Sequence, residues 1–441
     1  MAPAQCAAHI GSGVWVRRGP TGGVLARASP TGGSPAEWLP ATVVSVDTAG
    51  VLVRTEDGDE ANLSPADVEL RGNDDSVQDL VRLGHMNEPS VLAALARRYA
   101  AGQIYTRTGP GIIIAVNPFG PMPQLYDAAT MDRYRLEGSD AEEGGPAAAQ
   151  RAPHIFAVAS RAYWQMVQEG RGQALLVTGE SGAGKTETSK ILMKYLAYLG
   201  GYKGAADAEP DDSAGPSVEQ RVLESNPLLE AFGNAKTVRN DNSSRFGKYI
   251  ELHFSGAGSI SGARVHTYLL ERSRLVAPSK GERNYHIFYQ LLAGATPEER
   301  ARWRLGADAA AHRLTSAGGC LSLPGVDDAA HFLVTRHALR SIGLGAAEQE
   351  QLFSILSALL HLGDAVFEPC YNGTDGCTLS KASRGSLGAA AALLGCDAAA
   401  LAKAVTTRTR VTPDGPIVSP LGAKAAAETL DALSKVTRGG A

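Results

Sequence analysis

No C-x-x-C pair occurs in the sequence, and its five cysteines, Cys6, Cys320, Cys370, Cys377 and Cys396, are scattered through 441 residues. An odd count at such spacing excludes a disulfide framework and predicts reduced thiols and no zinc site. No stretch approaches the roughly 18 apolar residues of a membrane span, and the segment before Val14 has neither a basic n-region nor an apolar h-region. The reading is therefore a soluble, unsecreted, cytoplasmic chain without direct membrane insertion. In that setting the N-x-[ST] matches at Asn62, Asn242 and Asn372 stay unglycosylated. An excess of positive charge is also missing: the formal net charge is −4, which argues against nucleic acid as a partner. The ten histidines form no H-E-x-x-H, and neither H-R-D-x-x-x-x-N nor D-F-G is present, so zinc hydrolysis and protein-kinase chemistry are disfavoured. There is no fixed-period repeat.

What is present suffices for a sizeable core, since 44% of the residues are hydrophobic and the length allows two or three compact units. After a Gly/Pro/Ser-rich stretch from Arg18 to Pro35, two β-branched runs, Ala41 to Val46 and Val51 to Thr55, flank a tight turn and predict a hairpin in a small β unit reaching about Leu70. Trp15 and Trp38 are expected to help fill its core. Past Arg71 the spacing becomes helical, with Val91, Leu92, Leu95 and Tyr99 on one side, placing a boundary near residue 75. Gly138 to Ala149 and Gly200 to Ser217 are poor in large apolar residues and are expected as exposed loops. From Ala301 onward alanine-rich helical patterns dominate, such as Gln351 to His361.

Gln173 to Thr178 is a short apolar run typical of a buried parallel strand. It leads into Gly179, Glu180, Ser181, Gly182, Ala183, Gly184, Lys185 and Thr186, a match to G-x-x-x-x-G-K-[ST]. Glycines let backbone N–H groups curl around phosphate oxygens, and the following helix aims its positive end at them. Lys185 supplies a point charge for the β- and γ-phosphates, and the Thr186 hydroxyl ligates Mg²⁺. That helix carries its apolar stripe at Ile191, Leu192, Tyr195, Leu196 and Leu199 and stops at Gly200. A phosphate loop by itself specifies only a nucleoside triphosphate.

A second polar loop, Asn240 to Lys248, lies between a helical pattern, Val218 to Phe232, and a strand in which Ile250, Leu252 and Phe254 alternate with polar residues. Consecutive hydroxyls and a guanidinium there suit either a γ-phosphate contact or ordinary turn chemistry. Together, Gly179 to Thr188 and Asn240 to Lys248 resemble the P-loop and switch I of myosins. So do Tyr105 to Gly109, Ile114 to Phe119, Leu223 to Thr237 and Tyr268 to Arg274. Leu125 to Asp127 and Tyr195 to Gly201 are most similar to plant and algal class XI heads, which are close to class V.

The resemblance implies an α/β fold: a P-loop NTPase-type central, mostly parallel sheet flanked by helices, preceded by a small Src-homology-3-like β-barrel and C-terminally truncated. The barrel would occupy residues 1–75 and a partial motor domain residues 76–441. It implies that Asn117, Pro118, Phe119 and Tyr126 lie along the adenine, that Thr186 and Ser244 ligate Mg²⁺, that Ser243 faces the attacking water, and that Asn240 and Lys185 hold the phosphates. The implied activity is an actin-activated Mg-ATPase driving vesicle-type transport on the actin cytoskeleton. F-actin would be the partner, joined by calmodulin-like light chains and cargo in the full-length protein. Phosphate-loop enzymes also use a D-x-x-G element. The D-x-x-G that follows a strand here is Asp47 to Gly50, expected as a hairpin turn. In the family Arg245 pairs with a switch II glutamate, and the sequence is expected to leave it without that partner. The other reading is a nucleotide-binding fragment with no motor activity of its own.

Overall fold

Val14, Val16, Ala41, Val43, Val51 and Val53 recur at a spacing of two, and in the computed structural model their side chains meet in one buried cluster with Leu63 and Val68. The structure describes residues 8–18, 38–48, 50–72, 77–139, 151–201, 218–306, 308–370, 376–413 and 415–440. The Gly/Pro/Ser-rich stretch after Arg18, the boundary near residue 75, Asn372 and most of the two Gly-rich loops lie outside them. Two compact units are found, Met1–Leu176 and Val177–Ala441.

In the first unit, β1 (Gly13–Arg17), β2 (Trp38–Asp47), β3 (Gly50–Thr55), β4 (Glu60–Leu63) and β5 (Glu69–Leu70) form an antiparallel sheet in the order β4-β3-β2-β1-β5. The expected hairpin is β2–β3, with Asp47 opposite Gly50. Gly50 N–H donates to Asp47 Oδ1 (3.0 Å), and a Cβ at Gly50 would stand 2.5 Å from Asn62 Oδ1, so only glycine fits this D-x-x-G turn. Trp15 is buried but faces away from the valine cluster, its indole donating to Ser90 Oγ (3.0 Å). Trp38 is half-buried beneath the Arg17 guanidinium.

Helix α1 (Glu88–Ala100) is capped by Asn87 and buries Ser90, Ala94 and Arg98; of the expected apolar stripe, Val91 packs against Leu80, Leu83 and Ala94 and Leu95 is half-buried, while Leu92 and Tyr99 are exposed. Small side chains let the Trp15 indole approach, and Arg98 is drawn in because its guanidinium donates to Thr106 Oγ1 (2.9 Å) and the Tyr105 carbonyl (2.7 Å). Strands β6 (Tyr105–Arg107) and β7 (Ile113–Ala115) form a short ladder. Helices α2 (Ala128–Ser139) and α3 (Ile155–Glu169) follow, the latter capped by His154.

In the second unit, α4 (Lys185–Leu199) buries Leu192, Met193, Tyr195, Ala197 and Leu199, and α5 (Val218–Gly233) leads into β8 (Asn234–Ala235). Strand β9 (Ser243–Ser244) pairs with β8, and β10 (Gly247–Phe254) pairs with β11 (Ile260–Tyr268). Helix α6 (His286–Gly294) is buried nearly all round through Ile287, Phe288, Tyr289, Leu291 and Leu292. Around it pack α7 (Pro297–Trp303), α8 (Arg313–Ser316), α9 (Asp328–Ser341) and α10 (Ala346–Gly363), the last being the expected alanine-rich helix. The final helix, α11 (Ala423–Gly440), is anchored by buried Arg438, which donates to the Phe232 carbonyl and lies over the rings of Phe232 and Tyr285.

His312, His361 and Asp364 converge, but their atoms are satisfied by the chain. Asp364 accepts from His312 Nδ1 (2.6 Å) and caps Arg313 N–H (2.8 Å), His312 Nε2 accepts from Gly306 N–H, and His361 Nε2 meets the Arg304 carbonyl (2.7 Å). The cluster thus joins α8 to the end of α10.

The expected parallel central sheet is not among the described residues: every ladder between strands is antiparallel. Gln173 to Thr178 carries no strand pairing, and Leu176 is 91% exposed. Backbone groups of an apolar run become a strand only beside a neighbour, and no described strand lies alongside this one. No single described helix is long and apolar enough to cross a membrane.

Candidate functional site

Gly179, Gly182 and Gly184 stand at φ of +149°, +84° and +90°, conformations that favour glycine and turn the loop back on itself. Gly184 is the N-cap of α4 and offers no side-chain cap, so the first-turn N–H groups stay available to an anion. Lys185 folds over the loop and donates to the carbonyls of Gly179 and Glu180, both at 2.8 Å. Those two bonds hold the ammonium over the loop.

The second loop lies against the first. Ser181 Oγ and Ser243 Oγ are 2.9 Å apart, and Thr186 Oγ1 and Ser244 Oγ are 3.2 Å apart. Two adjacent ligands of an octahedral Mg²⁺ sit about 3 Å from each other, given metal–oxygen distances near 2.1 Å. The Thr186 and Ser244 hydroxyls therefore fit a shared magnesium ion. Asn240 is fixed through its backbone, accepting from Thr237 N–H (2.8 Å) and Oγ1 (3.1 Å). Its amide lies above Gly182, where an added Cβ would come 3.7 Å from Nδ2.

Arg245 has an acidic partner, Glu271, which lies outside any D-x-x-G element. Its Nε donates to Glu271 Oε2 (2.6 Å) and its Nη1 to Ser243 Oγ (3.3 Å), and Glu271 also accepts from Arg274 Nε (2.8 Å). Burial works to raise the Glu271 pKa, but the two guanidiniums outweigh it and hold the carboxyl below its ordinary value. Glu271, 26 positions away in sequence, thus joins Arg245 and Arg274 beside Ser243.

Residues the motif reading did not single out complete the site. Lys190 of α4 contacts Glu230 Oε1 (2.6 Å) and Glu187 Oε1 (2.9 Å), while Glu230 Oε2 accepts from Asn242 Nδ2 (3.1 Å). Burial lowers the Lys190 pKa, yet the two carboxylates more than compensate and hold it above the usual lysine value. Asn242 Oδ1 accepts from Asn234 Nδ2 (2.8 Å) and lies 3.3 Å from His286 Nε2. A cavity of about 200 Å³ runs beneath the two loops, lined in part by Lys185, Thr186, Glu230, Ser244 and Lys248. Burial pushes the Lys248 pKa down, and its ammonium donates to Asn226 Oδ1 (3.2 Å).

Asn117, Pro118, Phe119 and Tyr126 lie in the first unit. Asn117 Oδ1 accepts from Phe119 N–H (2.9 Å), and Phe119 stands at φ +51° with its ring 84% exposed. Tyr126 Oη is 2.7 Å from Tyr105 Oη, in a ring cluster with His154 and Phe156.

A family model described as Myosin head (motor domain) matches residues 77–438. The chain is 44% identical over 405 residues to Myosin-17 of Arabidopsis thaliana, an alignment covering 91% of this chain and 25% of that protein. To Myosin-16 of the same plant it is 43% identical over 403 residues, covering 90% of this chain and 31% of the relative. To Myosin-7 it is 46% identical over 360 residues, covering 82% and 20%. The chain thus spans a fifth to a third of the length of these curated relatives.

Proposed function

The chain belongs to the myosin head (motor domain) family and resembles plant myosins, and on that premise we propose that it is the ATP-binding portion of an actin-based Mg-ATPase motor. The observation that carries this reading is the pairing of Thr186 Oγ1 with Ser244 Oγ at 3.2 Å, because it joins the phosphate loop to the second loop at magnesium-ligand spacing. Backbone N–H groups of Gly179 to Lys185 face the phosphate oxygens. Lys185 exchanges the carbonyls of Gly179 and Glu180 for β- and γ-phosphate oxygens, and Asn240 holds the same end of the nucleotide. Ser243, kept in place by Ser181 and Arg245, orients the attacking water. Magnesium, when bound, offsets the negative charge of the triphosphate. Asn117, Pro118, Phe119 and Tyr126 lie along the adenine. Residues 1–75 form the Src-homology-3-like barrel and residues 76–441 the partial motor domain. F-actin, calmodulin-like light chains and vesicle cargo belong to the complete motor in the cytoplasm.

Titration of the purified chain with labelled ATP and Mg²⁺ tests the reading. Saturable uptake is expected, and Lys185→Ala should weaken it on the order of a hundredfold, the worth of two charge-assisted hydrogen bonds. Well-folded protein that takes up no nucleotide would overturn it. A second reading, nucleotide binding without motor activity, is favoured by the unpaired run Gln173 to Thr178. It expects phosphate release far slower than in whole motor heads; release at their rate excludes it.

A further inference from the structure

Five links form a closed ring at the site: Thr186 and Lys190 share a face of α4 one turn apart, Lys190 contacts Glu230, Glu230 accepts from Asn242, Asn242 adjoins the Ser243–Ser244 strand, and Ser244 meets Thr186 again. We infer that Glu230 is a positioning residue for magnesium-dependent nucleotide binding, its carboxylate bridging Lys190 of the phosphate-loop helix and Asn242 of the second loop so that the Thr186 and Ser244 hydroxyls stay within reach of one ion. This inference rests on the proposed magnesium-nucleotide function of those two loops.

The chemistry requires a carboxylate. Glu230 forms an ion pair with Lys190 Nζ at 2.6 Å on one side and accepts from Asn242 Nδ2 at 3.1 Å on the other, and only an ionised carboxylate does both. A glutamine of the same shape would turn its NH₂ toward one of those donors and break one link. Lys190 would keep Glu187 at 2.9 Å, so the substitution strands no ammonium. Asn242 cannot compensate by itself, because its Oδ1 is held by Asn234 while Glu230 orients its Nδ2. The outer end of the second loop would then move independently of α4.

The test measures the affinity of the full chain for a fluorescent ATP analogue with Mg²⁺ and with EDTA, for the parent, Glu230→Gln, Asn242→Ala and the double variant. The expected result is that Glu230→Gln loses roughly tenfold of the gain due to Mg²⁺, a typical coupling between two sites, while its affinity in EDTA is unchanged. Asn242→Ala should show a similar loss, and the double variant should be no worse than either single one, because both cut the same path. If Glu230→Gln does not fold, Asn242→Ala, on an exposed residue, decides alone. A parent-like Mg²⁺ gain in the folded variants overturns the inference, as does an equal loss with and without Mg²⁺ or an additive double variant. A parent chain with no saturable uptake overturns the function beneath it as well.

Discussion

Gly184 precedes Lys185 at φ +90°, a conformation that costs an L-residue about 1–2 kcal/mol. Gly184→Ala should therefore lower stability by that amount in a denaturant titration and weaken ATP uptake, since relaxing the strain re-aims the Lys185 ammonium; unchanged uptake would show that the turn is not needed. His154 supports a second prediction at this scale. It is buried among Tyr105, Tyr126, Tyr134 and Phe156, and burial pushes its pKa down to about 4. The folded chain thus keeps it neutral at pH values where the unfolded chain, titrating near 6.5, already holds a proton. Stability is full above about pH 6.5 and falls as pH drops toward about 4, by about 3 kcal/mol from this one group. His154→Asn removes the titration but retains an acceptor for Phe156 N–H, which caps α3. Its stability should depend less on pH between those limits; an unaltered slope would assign the effect to other groups.

Among the elements, α4 and the β2–β3 hairpin were legible because their signals are local. Glycines at fixed offsets, a stripe at three and four, and valines at two each report a backbone geometry that neighbouring residues enforce. The run Gln173 to Thr178 shows where that logic stops. Its composition reads as a buried strand, yet burial depends on a partner that composition does not supply, and Leu176 stands 91% exposed. Leu176→Ser should accordingly cost within about 0.5 kcal/mol, as at open surface positions, whereas a leucine in a packed sheet would cost about 2–5 kcal/mol on truncation. Hydrogen exchange gives an independent check: amides of Gln173 to Thr178 should exchange much faster than those of Val51 and Val53, which lie in the paired strand β3. Protection of the run, or a large loss in Leu176→Ser, would place it in a sheet.

At the scale of the molecule, the links that join elements were the least legible. Glu271 lies 26 positions from Arg245 and Asn242 lies 12 from Glu230, and a motif reading has no means of pairing residues across such separations. The contacts that hold the two nucleotide loops together are nevertheless of this kind. If they form a binding site in the second unit, ligand should stabilise that unit by mass action, about 2.7 kcal/mol at a hundredfold excess over Kd. Trp303 is the natural reporter, because it is the one tryptophan of Val177–Ala441, is 1% exposed, and donates its indole N–H to Glu350 Oε1 (2.7 Å). With Trp15, Trp38 and Trp164 replaced by Phe, its fluorescence should report a melting midpoint raised by about 5 °C on adding Mg-ATP. Lys185→Ala in the same background should cut the rise to about 1 °C, since a site about a hundredfold weaker is only half filled at that ligand concentration and adds only about 0.4 kcal/mol. A rise undiminished by the substitution would mean that the nucleotide stabilises this unit from somewhere other than the glycine loop.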